Sequence, residues 1–190
     1  MRILLVGDSF GLQDIAETYA QRALDTLGHV VIPFDCLLSR ATPASLLPTA
    51  WRQRWRRLLP SPRQWWPALR RREIAAMGQA LLECVARERP DVLFVFKGTP
   101  LTADTLHAVR DRFHIPRVNW CPDDPFRYLS DEVYPCYELF CVKDSTYFDP
   151  LRQRGAKRLM VLPFACDPSV HRRIVMEEGA RHRWQAESCF

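Results

Sequence analysis

No run of this 190-residue chain is long and apolar enough to cross a membrane. Ile3 to Val6 form its first apolar stretch, too short for a signal-peptide core and better explained as a strand. The expectation from both absences is a cytoplasmic protein. The seven cysteines are scattered, odd in number and without a Cys-x-x-Cys pair. Cys36, Cys84 and Cys141 lie in apolar runs, so buried thiols are expected in place of disulfides or zinc ligands. No internal repeat or low-complexity tract is present. Acids are missing from one stretch: residues 51–72 hold eight arginines and neither Asp nor Glu. Taking those eight from the 27 basic residues leaves 19 against 22 acids, a net of −3. The formal charge of +5 is therefore a local patch, and no specific nucleic-acid partner is expected.

The hydrophobic content of 47% is enough for the core of one α/β domain. Arg2 to Val6 read as a strand ending at Gly7-Asp8-Ser9-Phe10-Gly11. A helix follows with Leu12, Ile15, Tyr19, Ala23 and Leu27 on one face, closed by Gly28. His29 to Phe34 are the second strand. Residues 39–72 interrupt the rhythm with prolines, arginines and Trp51, Trp55, Trp65 and Trp66, and read as short helices between turns. A helix over about 72–89 places Ile74, Met77, Leu81 and Val85 inward and stops at Pro90. Val92 to Phe96 are continuously apolar, as in a strand buried on both faces. Thr102 then caps a helix, with Leu101 and Leu106 placed as a hydrophobic staple. Further strands are expected at Val118, at 138–142 and at 158–162, with a helix over 146–154 ended by Gly155. The predicted fold is α/β: a Rossmann-like three-layer αβα arrangement around a parallel sheet of about six strands, ordered 2-1-3-4-5-6. It spans 1–166 with a helical insert at 39–72, and 167–190 read as a linker into a further domain.

Three polar loops end strands that this topology places on one edge. Pro122-Asp123-Asp124-Pro125 is a stiff acidic turn, in which Asp123 or Asp124 can act as general base or bind sugar hydroxyls. Equally, the pair can cap a helix or stabilise the turn. Without further ligands nearby it does not read as a metal site. Lys97 can neutralise a phosphate or carboxylate, Gly98 lets a ligand approach the backbone, and Lys97 can also pair with an aspartate. Gly7 and Ser9 belong to an anion-friendly loop before a helix. That loop lacks the full dinucleotide spacing, which argues against NAD. Gly7-Asp8-Ser9 also resembles the nucleophile block of GDSL-type esterases, with Ser9 attacking. Against this, Asp167 and His171 are one residue too far apart for the late Asp-x-x-His of those enzymes. A non-catalytic ligand- or partner-binding module is the third reading. The region from Arg52 to Arg72 can lie on an anionic membrane surface, stack single-stranded nucleic acid or bind an anionic acceptor, or simply cover the sheet edge with its arginines solvated.

In order and spacing, several fragments resemble the CgeB-like (spore-maturation) glycosyltransferases. They are Met1 to Gly7, Leu27-Gly28-His29-Val30, Pro90-Asp91-Val92-Leu93, Lys97-Gly98, Asn119 to Phe126, and Leu162 to Pro168 with His171. The N-terminal half of that family is a Rossmann-like domain of the GT-B fold. The resemblance implies the acceptor-binding half of a nucleotide-sugar-dependent glycosyltransferase. It implies substrate contacts at Gly7, Ser9, Lys97, Gly98, Asn119 and His171, and catalysis at Asp123 or Asp124. The family carries its nucleotide sugar mainly on a second domain. The expectation is therefore a donor-binding partner domain in cis or in trans, a sugar acceptor, and no cofactor bound by this chain itself.

Overall fold

The computed structural model describes residues 1–7, 16–36, 67–173, 175, 177 and 179, with the backbone alone at 67–70. One sheet organises them. Its strands are β1 (Arg2–Gly7), β2 (Val30–Asp35), β3 (Val92–Phe96), β4 (Arg117–Cys121), β5 (Leu139–Val142) and β6 (Leu159–Val161). All neighbours are parallel, in the order β2-β1-β3-β4-β5-β6 predicted from the strand–helix rhythm. Ile3 to Val6 and the inward residues of β3 are buried because helices cover a parallel sheet on both faces. The helices are α1 (Ala16–Thr26), α2 (Pro67–Glu88), α3 (Ala103–Phe113), the single turn α4 (Pro125–Tyr128) and α5 (Phe148–Gln153). Right-handed crossovers put α1 on one face and the later helices on the other. There α2 and α3 meet at Gly78, where a Cβ would sit 2.6 Å from Thr105 Oγ1, so any larger residue would have to displace the Thr105 side chain.

Helix ends follow local chemistry. Thr102 Oγ1 accepts from the Thr105 N–H at 3.3 Å, capping α3, and Leu101 and Leu106 are both buried beside it. His114, in the left-handed region at φ 56°, closes the same helix two residues before Pro116. The inward face of α2 is as expected at Met77, Leu81 and Val85, although the helix starts earlier, at Pro67.

Two helices differ from expectation. On α1, Leu12 and Ile15 of the expected face lie outside the described residues, Ala23 is exposed, Leu27 is 71% exposed, and the buried residue is Glu17. Leu27 lies beyond the last helical residue, in the turn toward β2. The Tyr19 side of α1 meets the segment after β6. The helix expected over 146–154 is split, because Asp144 Oδ1 accepts from the Thr146 N–H at 2.7 Å and starts a 3-10 turn at Ser145 before α5. Cys36, Cys84 and Cys141 are buried, as their apolar runs predict, and Cys121 and Cys136 are buried as well. Among the described residues no helix is long and apolar enough to cross a membrane. The Arg/Trp-rich stretch lies outside the described residues as far as 66; Arg71 and Arg72 are exposed on the first turns of α2.

A candidate site at the carboxyl edge of the sheet

Because every strand is parallel, Gly7, Lys97 and Asp123 lie at one edge of the sheet. The chain reverses its direction of winding between β1 and β3, and open α/β sheets bind ligands outside that point. Gly7 is the last residue of β1. Asp8, Ser9, Phe10 and Gly11, which carry the nucleophile and anion-loop readings, lie outside the described residues.

The end of β3 is strained. The Gly98 N–H donates to Phe96 O at 2.8 Å across Lys97, whose φ is 60°. This is a γ-turn of the rare hand. A non-glycine residue held there costs roughly 1–3 kcal/mol. Two bonds hold it. The Lys97 N–H donates to Trp120 O at 2.9 Å, continuing the ladder, and Asn119 Nδ2 donates to Lys97 O at 2.9 Å. Asn119 is fully buried beside the Tyr137 hydroxyl, and its Nδ2 ties the turn to the core. Gly98 is buried too, with φ at 82°, and a Cβ there would lie 2.6 Å from Val95 Cγ1 and 3.3 Å from the Tyr137 hydroxyl oxygen. Gly98→Ala is therefore expected to destabilise the fold by roughly 1–3 kcal/mol, read as a lower midpoint in urea unfolding with unchanged slope. Asn119 and Gly98 act on the edge through the turn they support.

The two aspartates of the acidic turn separate into different tasks. Asp124 Oδ1 accepts from the Phe126 N–H at 3.0 Å, capping α4, whose first residue is Pro125. Asp123 Oδ2 lies 2.5 Å from Lys97 Nζ, with the lysine side chain 32% and the aspartate 39% exposed. The same ammonium sits 5.1 Å from the centre of the Tyr128 ring. Burial is the largest influence on Lys97 and lowers its pKa. The hydrogen bond and charge of Asp123, with smaller contributions from Tyr128 and Cys121, outweigh burial and leave it raised. Cys121 is pushed up to about 11 by burial and is no nucleophile at neutral pH.

Tyr128 was not legible as a site residue until α4 was seen. Asp124-Pro125 is nevertheless an N-cap and N1 pair in the sequence, and it places Tyr128 one turn further on. The helix is fixed by Phe126, which packs edge-on against Tyr134 at 6.2 Å and under the Arg154 guanidinium at 4.5 Å.

After β6 the chain crosses back. Leu162 O accepts from Trp120 Nε1 at 3.0 Å, and Phe164 packs at a tilt against the same indole at 5.9 Å. Asp167 then reaches Arg22 of α1 at 3.7 Å, and His171 packs edge-on against Tyr19 at 5.5 Å. His171 Nδ1 lies 3.1 Å from both the main-chain nitrogen and the oxygen of Asp167. The Asp167 carboxylate bonds Ser169, whose hydroxyl and N–H, with Arg22, hold it below the usual carboxylate range. Thus Lys97, Asp123 and Tyr128 are brought into one cluster, Asn119 and Gly98 support it, and His171 sits on α1. Among the described residues no group of three or more His, Cys, Asp or Glu side chains is placed to hold a metal. Compared with known proteins, the chain matches no family model and no curated protein.

Proposed function

We propose that this chain is the acceptor-binding half of a nucleotide-sugar-dependent glycosyltransferase, with Asp123 as the general base. The observation that carries the reading is the placement of Asp123. A partly exposed carboxylate on a stiff turn stands at the carboxyl edge beside the strand where the winding reverses. In the reaction Asp123 takes the proton from an acceptor hydroxyl as its oxygen bonds the anomeric carbon. The sugar–phosphate bond breaks, and its electron pair leaves with the nucleotide diphosphate. The described residues hold one parallel sheet, and the reading assigns the donor to a second α/β domain, joined to the chain or separate. The CgeB-like resemblance supports the assignment through the order of its fragments.

The test has two parts. Saturation-transfer NMR of the purified chain with simple glycosides is expected to show weak binding that Asp123→Ala removes. Sugar transfer is expected only when a donor-binding domain is supplied. Vigorous transfer by the 190-residue chain alone counts against a divided enzyme. Hydrolysis of p-nitrophenyl acetate that disappears in Ser9→Ala replaces the proposal with an esterase.

A further inference from the structure

The Lys97 turn has features that folding alone does not require. Glycine would adopt its positive-φ backbone with less strain. Lysine is not this chain's default cation either, since only three of its 27 basic residues are lysines. A fully buried asparagine donates to the Lys97 carbonyl and holds the turn in place. The ammonium presented in this way remains a third exposed, at the reversal point of the sheet, between a tyrosine ring and a carboxylate. An ion pair this exposed contributes too little to offset the strain of the backbone that carries it. Strained residues held by dedicated partners cluster at ligand clamps.

We propose that Lys97 Nζ is the receptor for a ligand oxyanion, a phosphate or a carboxylate, and that the Asp123 carboxylate is its internal stand-in, displaced when the ligand binds. The inference goes beyond sugar transfer and stands without it. The incoming oxyanion takes the Nζ contact, and Asp123, no longer paired, is free to accept a proton from a neighbouring hydroxyl. Anion binding and the availability of the base are thereby coupled through one ammonium. The sign of the aspartate's effect distinguishes this arrangement. A residue belonging to the anion's own ligand set weakens binding when removed. A competitor that also repels the anion strengthens binding when its charge is removed.

The experiment is a titration of the isotope-labelled full chain with inorganic phosphate, and separately with acetate, at constant ionic strength made up with chloride. Saturable shifts at the Lys97 and Gly98 amides are expected, and the anion that saturates first names the ligand class. Asp123→Asn is expected to bind that anion about tenfold more tightly. Lys97→Gly, which suits the backbone, is expected to lose saturation while melting no lower than the native chain as strain is relieved. Three results overturn the proposal: unchanged titration of Lys97→Gly, weaker binding by Asp123→Asn, or no saturation of Asp123→Asn by either anion. The Asp123→Asn measurement decides the matter even if the lysine variant fails to fold.

Discussion

Asp123→Asn is expected to lower sugar transfer by about a hundredfold or more in the enzyme assembled with its donor-binding domain, while the melting temperature moves by only a few degrees. The substitution keeps the size and turn preference of the side chain and removes its ability to take a proton. It also removes the ion pair with Lys97. Both partners are about one-third exposed, and pairs of that kind contribute about 0–1 kcal/mol. Folding therefore changes little, and a large loss of rate reports chemistry. Asp124→Asn provides the comparison. Asparagine caps a helix about as well as aspartate, so α4 keeps its Phe126 N–H partner and Tyr128 keeps its place. A small effect at 124 beside a large one at 123 assigns the base. Equal, full activity of both variants, measured as kcat at saturating acceptor, would leave the acidic turn as scaffold only.

The sequence carried the sheet well and the site less well, for a physical reason. Strand order follows from short apolar runs separated by helices, and handedness then leaves few alternatives. Ile3 to Val6 and Val92 to Phe96 announce themselves because parallel strands are apolar on both faces. The division of labour between Asp123 and Asp124 is not periodic and depends on which carboxylate faces the end of β3. Asn119 was singled out only through the family resemblance. No one-dimensional pattern says that an amide in the middle of β4 supports the carbonyl of a residue 22 positions earlier. The face of α1 was misread because its Tyr19 side meets a segment about 150 residues away in sequence, and helical spacing does not show what covers an apolar side. Arg117 gave no signal either, since a charged residue opening a strand is ordinarily solvated.

Arg117 carries the second large effect: Glu138→Ala is expected to cost about 3 kcal/mol of stability. The Arg117 side chain opens β4 at the amino edge, opposite the candidate site, and the residue is 1% exposed. Its Nε and Nη2 donate to the two Glu138 carboxylate oxygens, Nη1 donates to Leu106 O at 3.0 Å, and its own N–H donates to Glu138 Oε2 at 2.6 Å. Removing the glutamate leaves a buried guanidinium with one carbonyl partner. Breaking such a pair typically costs 3–5 kcal/mol, and the lower end applies because Glu138 is 41% exposed. Arg117→Met is expected to cost less, because the remaining carboxylate reaches water and the methionine fills part of the space. The pH dependence has a definite sign. Burial works to raise the Glu138 pKa, but the hydrogen bonds and charge of Arg117 outweigh it and leave the value below the ordinary 4.5. A carboxyl depressed by folding contributes stability that is fully present above its unfolded pKa and is lost as pH falls through the folded one. The stability gap between the native chain and Glu138→Gln should therefore be wide at pH 6–7 and close below about pH 4. Urea unfolding across that range measures it, and a gap independent of pH would show that the pair does not hold the amino edge together. The Lys97 amide shifts with phosphate should be unaltered in the glutamine variant, since the pair secures the end of the sheet away from the ligand.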